Sequence, residues 1–264
     1  MQGLNTTVTG VLKKILFFMI LIMMWELVYK VGVDYLKIWK PYIFPSPIDV
    51  FKTLVALFQD NTITIAIVAS IKRLIIGYAI SLVIGVSLGI LIVRYKYIDE
   101  NMSALILGLQ TLPSICWLPF AILWYGLNES AIIFVIAIGS IFAVSMATVS
   151  AIKNVEPIYL KAARTMGARG VRLYGSVIAP ASLPTIITGM KQGWSFAWRA
   201  LMSGEMLSAT KGLGQVLVVG RELGDINQVM AVMIVIVVLG LVIDKLIFDS
   251  LEKNVRYKWG LERR

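Results

Sequence analysis

Apolar residues along this chain come in long unbroken blocks, not in the short alternations of strands or the one-sided stripes of soluble helices. Residues 74–93, 102–128 and 130–152 carry no charged side chain, and each exceeds the roughly 18 apolar residues that make a bilayer-crossing helix plausible. The same pattern followed to both ends predicts six spanning helices, at 15–33, 71–93, 102–127, 130–152, 185–207 and 229–248. The third contains Pro113 and Pro119 and is expected to be kinked or broken, with neighbouring helices satisfying the freed carbonyls. Gly77, Gly85 and Gly89 in the second allow another helix to approach closely. Between the first two spans, Phe44-Pro45-Ser46-Pro47 precedes Val50, Leu54, Leu57 and Phe58 at helical spacing. That pattern predicts a short helix lying in the membrane interface. The expected fold is all-α, a polytopic membrane protein of about six transmembrane helices in a single domain over 1–264.

Composition strengthens this picture. Hydrophobic residues make up 58 % of the 264 and charged residues only 15 %, more apolar surface than a soluble domain of this size could hide. The net charge of +10 would suit nucleic acid, but the basic residues sit between apolar blocks, as expected when Lys and Arg are retained on the cytoplasmic side. Lys13, Lys14, Arg94, Lys96, Lys153, Lys161, Arg164, Arg169, Arg172, Lys253, Arg256, Lys258, Arg263 and Arg264 would share that side. Lys30, Lys37, Lys40, Lys52, Lys211 and Arg221 would face the other. Fourteen against six places both termini in the cytoplasm. Asp34, Asp49 and Asp60 offset much of the charge in the 30–52 loop. Lys13 and Lys14 ahead of an apolar run imitate a secretion signal, yet no small-x-small cleavage site follows, so a retained first helix is expected.

The chemistry available is narrow. Cys116 is the sole cysteine and no histidine occurs, which removes an intrachain disulfide, His-based metal sites and His-paired nucleophiles. No His-Glu-x-x-His, Gly-x-Ser-x-Gly or phosphate-cradling Gly-x4-Gly-Lys-Ser/Thr pattern is present. Neither an enzyme nor an ATPase is expected, with no catalytic residue and no metal ligand.

Function concentrates in the connection between the fourth and fifth spans, about 153–183, which is long for a helix–helix loop. Ala162 and Ala163 would let a helix backbone sit deep in a cleft of another protein. Gly167 can end that helix in the left-handed conformation. Arg164, Arg169 and Arg172 keep the loop in the cytoplasm, and Pro180 opens the return to the membrane.

In this loop the chain resembles the permease subunits of ABC importers. Their cytoplasmic signature runs Glu-Ala-Ala, three residues, Gly, nine residues, Ile-x-Leu-Pro. Lys161, Ala162, Ala163, Gly167, Val177 and Pro180 fall at that spacing. Lys161 stands where an acid is usual and Ala179 where leucine is usual. The resemblance runs from about Trp25 to Trp259 and is nearest the nitrate, aliphatic sulfonate and taurine group. It is carried by Trp25-Glu26-Leu27, Pro45-Ser46-Pro47, Ser70-Ile71-Lys72-Arg73 with Gly77, Leu112-Pro113, Trp117-Leu118-Pro119 and Trp124-Tyr125-Gly126. Arg164-Thr165-Met166-Gly167-Ala168, Ala197-Trp198-Arg199, Gly204-Glu205-Met206-Leu207 and Gly212-Leu213-Gly214 complete it.

The resemblance implies a type I importer permease in the bacterial cytoplasmic (inner) membrane, moving a small solute such as nitrate, a sulfonate or taurine by alternating access. It implies two copies of an ATPase partner that bind ATP, a second permease copy, an extracytoplasmic binding protein, and no cofactor in this chain. Lys161, Ala162, Ala163, Arg164, Gly167, Ala168 and Pro180 would form the ATPase-docking element.

The fifth span also carries Lys191, Arg199 and Glu205, with Trp194 and Trp198 between them. A charge inside a span is costly unless it meets a polar interior. Arg199 and Glu205 point roughly 120° apart on a regular helix, so each needs a partner elsewhere. Arg199, Glu205 and Trp198 are candidates for the translocation path, with Arg199 able to face an anion; alternatively Arg199 and Glu205 only orient the span. Glu26 and Asp244 lie near helix ends and read as caps. An ion-coupled secondary transporter is the competing class.

Overall fold

The computed structural model describes residues 2–40 and 42–259; Arg263 and Arg264, counted above among the basic residues, lie outside them. The described chain is helical: α1 (Gln2–Tyr29), α2 (Pro47–Gln59), α3 (Thr62–Arg94), α4 (Lys96–Gln110), α5 (Leu118–Tyr125) and α6 (Glu129–Lys153) are followed by the short α7 (Pro157–Thr165) and α8 (Gly170–Leu173), then α9 (Ala179–Leu207), α10 (Leu213–Glu222), α11 (Ile226–Ile243) and α12 (Ser250–Lys258). Two compact units arise, one of Met1–Thr64 and Val216–Val235, the other of Ile65–Gln215 and Ile236–Arg264.

In the first unit α1 continues through a π-helical turn, and Leu12–Tyr35 is long and apolar enough to span. Phe17, Phe18, Met23 and Leu27 lie exposed on it, a surface suited to lipid. The short helix expected after Pro45-Ser46-Pro47 is present as α2. Ser46 caps it, accepting from Asp49 N at 3.0 Å and donating to Asp49 Oδ2 at 2.9 Å. That bond, with the Lys52 ammonium beside it, holds the Asp49 carboxyl below its usual range. Trp25 donates its indole N–H to Pro45 O at 3.1 Å, joining two of the sequence landmarks.

The second unit is a bundle centred on α6, whose residues are mostly buried. Glycine positions set its register. A Cβ on Gly77 would stand 2.7 Å from Ile136 Cβ, one on Gly85 2.8 Å from Val144 Cβ, and one on Gly89 2.6 Å from Thr148 Cβ. The sequence interval is the same in all three pairs, so α3 and α6 run parallel. Gly189 meets Ala147, Gly193 meets Val144 and Gly204 meets Ile132, so α9 runs antiparallel to α6.

The parallel register decides how α4 and α5 cross. They are bent by 99° at Thr111–Pro113 and the following 3-10 turn Ser114–Trp117, as the two prolines predicted. A bent pair can traverse the membrane or re-enter on one side. With α3 and α6 parallel, the chain must return from the far end of α3 to the near end of α6, so α4 and α5 together make one crossing. Asp99 of α4 beside Lys153, Trp117 beside Phe142 and Tyr125 beside Phe134 show the pair running antiparallel to α6. Among the described residues the candidate spans therefore number six, five continuous and one broken.

Candidate functional site

At the end of the bundle where α6 finishes, α7 and α8 fold over a small core of Val155, Ala163, Leu173 and Ile178. Pro157 starts α7 where its missing N–H costs nothing. Gly167 ends the helix at φ +84°, and Gly170 at +53° starts the next. Ala168 N donates to Ala163 O at 2.9 Å, closing the turn. Sequence spacing treated Ala162 and Ala163 as one surface, but they differ in burial. Ala163 is 2 % exposed, inside the loop's own core, whereas Ala162, Lys161, Arg164 and Gly167 are exposed. Ala163 is thus corrected from a surface residue to a packing residue, because the turn beyond Gly167 folds α8 back over it. The outward face presents Ile158, Tyr159, Met166 and Val171, each more than half exposed. Pro180 closes the loop at the start of α9.

At the opposite end the charged residues of α9 and α3 meet. Glu205 is wholly buried and accepts from Ser70 Oγ at 2.7 Å, Arg73 Nη1 at 2.8 Å and Gly214 N at 3.0 Å. Ser70 Oγ in turn accepts from Leu213 N at 3.0 Å, and Arg73 Nη2 reaches Glu129 Oε1 at 2.9 Å. A Cβ on Gly212 would collide with the Glu205 carboxylate, so only glycine fits there. Three sequence landmarks far apart in the chain, around Ser70, Glu205 and Gly212, are therefore one buried network. Spacing alone gave no sign of the pairing of Glu205 with Arg73.

A third region lies at the break between α4 and α5. A cavity of about 330 Å³ is lined there by Gln110, Thr111, Ser114, Phe196, Arg199 and Ser203, among others. Arg199 stacks over Phe196 at 4.5 Å and donates Nε to Ser195 O at 3.1 Å. Gln192, Ser195 and Arg199 are exposed along one side of α9, with Ser203 half-buried above them. Trp198 sits elsewhere, half-buried against the core and near Gly240. Of the three path candidates, Arg199 lines this cavity, Glu205 is buried and Trp198 is half-buried against the core. Lys191 pairs with Asp244 at 3.1 Å and Asp249 at 2.7 Å, so Asp244 is an ion-pair partner and not a cap. Among the described residues no cluster of three or more His, Cys, Asp or Glu side chains is placed to hold a metal ion.

Six spans, one of them broken, with a folded basic loop between the fourth and fifth, define a polytopic permease fold. The model of the binding-protein-dependent transport system inner membrane component family matches residues 77–257, and the chain belongs to that family. A protein of Methanocaldococcus jannaschii described as an ABC transporter permease is 35 % identical over 83 % of this chain and 88 % of its own length. The taurine transport system permease protein of Escherichia coli is 25 % identical, covering 79 % and 78 % of the two chains. The nitrate import permease protein of Synechocystis is 29 % identical, covering 77 % of each. A chain of the inward-facing methionine ABC transporter superimposes with a TM-score of 0.64 at 19 % identity, over 74 % of this chain and 96 % of that one, a likeness of fold. This protein is the permease subunit of an ABC importer, and ATP is bound by its partner ATPase. The secondary transporter falls away as its class.

Proposed function

We propose that this permease carries a small oxyanion, of the nitrate, sulfonate or taurine kind, along the outer face of α9. The observation that carries the reading is Arg199. A guanidinium near the middle of a span costs roughly 2.5–3.5 kcal/mol on insertion scales, and this one is neither buried nor paired with a carboxylate. It lines the cavity at the broken span, in a row with Gln192, Ser195 and Ser203. A polar row on a membrane helix needs water or protein beside it, not lipid. A second copy of this chain supplies that wall, so the transporting unit is a homodimer with the path between the two α9 faces. The relatives named for taurine and nitrate support an anionic solute.

The loop at 153–183 is the docking element for two ATPase copies, with Lys161, Ala162, Arg164, Gly167 and the exposed apolar side chains around them as its face. Ala163, Ala168 and Pro180 hold its shape. Arg94, Lys96, Lys153, the loop arginines, Lys253, Arg256 and Lys258 belong to this end of the spans, which makes it cytoplasmic. With six spans both termini lie on that side of the cytoplasmic membrane, and 1–264 acts as one transmembrane domain.

The test is uptake by cells expressing the full importer, with the solute first identified by mass spectrometry of the ligand held by the binding protein. Arg199→Gln is expected to reduce uptake at least tenfold with normal complex yield. Arg199→Lys recovers only part, because a point charge lacks the bidentate fork. Normal uptake by Arg199→Gln, or failure of that variant to assemble, rules out the path.

A further inference from the structure

Helix α9 begins with a defect that a distant residue repairs. In an α-helix the carbonyl of residue 180 accepts from the N–H of residue 184, but residue 184 is proline and has none. The Pro180 carbonyl accepts instead from Trp259 Nε1 at 2.9 Å. Pro180 closes the loop that docks the ATPase, and Trp259 follows directly on α12.

From Trp259 back toward α11, the chain is tied to α9 at every second turn or closer. Thr188 Oγ1 donates to Glu252 Oε1 at 3.3 Å, Lys191 bridges Asp249 and Asp244, and the ring of Phe248 lies 5.5 Å from that of Trp194. The bridge depends on local backbone. Asp244 and Asp249 are five residues apart, which on an α-helix places them about 140° from each other. The segment Asp244–Asp249 is π-helical, and the wider turn brings residues five apart onto one face. Both carboxylates thereby reach one ammonium.

We infer that residues 244–259 form a strut that holds the docking loop against α9, with Trp259 as its terminal positioning residue. When the ATPase displaces the loop, α9 moves with it as one body, because the weakest point of the junction, the proline-interrupted first turn, is bridged from outside the helix. Trp259 also walls a groove of about 550 Å³ with Ala163, Met166 and Pro180, so its indole faces Ala163 and Met166 of the loop across that groove. The coupling role rests on the docking reading above.

A double-mutant cycle tests it on the full chain, alone and assembled with its ATPase in nanodiscs. Trp259→Phe keeps the ring and removes the donor. Hydrogen exchange of residues 157–173 is expected to rise about fivefold, the scale of one lost hydrogen bond. The maximal ATP hydrolysis rate of the complex should fall severalfold, with unchanged KM for ATP and unchanged yield. Pro184→Ala restores the backbone donor to the Pro180 carbonyl, so in that background Trp259→Phe should change neither quantity by more than about twofold. Lys191→Gln, which cuts the strut at its middle, should also raise loop exchange. Unchanged loop exchange in both single variants, or an equal Trp259→Phe effect with and without Pro184, overturns the strut. A fivefold exchange effect with no change in hydrolysis overturns its coupling role. Exchange in the isolated chain reads the strut alone, so it stands apart from docking, which fails if Ala162→Trp still assembles normally with the ATPase.

Discussion

Arg73 and Glu205, 132 positions apart in the chain, meet at 2.8 Å with 2 % and 0 % of their side chains exposed. Burying two charges is expensive, and the expense is recovered only when the remaining polar atoms are bonded as well. Here Ser70 and Gly214 bond the carboxylate and Glu129 takes the second terminal nitrogen of Arg73, while Arg73 Nε has no partner among the described residues. The network ties α3, α6 and α9 to the start of α10 at the end of the bundle opposite the docking loop.

Removing the Glu205 charge leaves buried Arg73 with only the half-exposed Glu129 as its partner, a loss of up to about 3–5 kcal/mol. Glu205→Gln is therefore expected to lower the thermal midpoint of the purified chain by many degrees. Arg73→Met combined with Glu205→Gln removes the stranded charge and should recover a large part. Scanning fluorimetry in detergent decides it; a Glu205→Gln midpoint equal to wild type would show that the pair contributes nothing to the fold.

The two alanines of the docking loop should separate cleanly. Ala163→Trp overfills the core of Val155, Leu173 and Ile178, at a cost of about 1–3 kcal/mol or more, and should expose residues 157–173 to protease. Ala162→Trp projects into solvent, leaves the loop resistant, and should abolish co-purification of the ATPase. Normal ATPase recovery with Ala162→Trp would mean that another surface docks it.

Close approach of α3 to α6 predicts a third contrast. A Cβ on Gly85 would lie 2.8 Å from Val144 Cβ and 3.0 Å from Ile141 O, so Gly85→Leu should separate the helices and yield aggregated protein on size-exclusion chromatography. Gly108→Leu, with nothing within 4 Å of its Cβ, should elute as wild type. Similar profiles for the two would contradict the register on which the sixth crossing rests.

The spans, the break at Pro113 and the short helix after Pro47 were legible in the sequence because each depends on local properties. Unbroken apolar length, a missing N–H and a capping serine act within a few residues of themselves. The helix stop at Gly167 was readable for the same reason, since a glycine acts on its own backbone.

Tertiary structure alone decided which residues face one another. Arg73 read only as part of the Ser70-Ile71-Lys72-Arg73 landmark, and Ala162 and Ala163 as an equivalent pair, until folding buried Arg73 against Glu205 and turned Ala163 into the loop. Trp259 had no assigned role until the proline at 184 left a carbonyl without its helical donor. Partner choice for a buried charge or an orphaned carbonyl depends on which distant helix arrives beside it. That is set by the packing of α3, α9 and α11 in three dimensions, and not by neighbours along the chain.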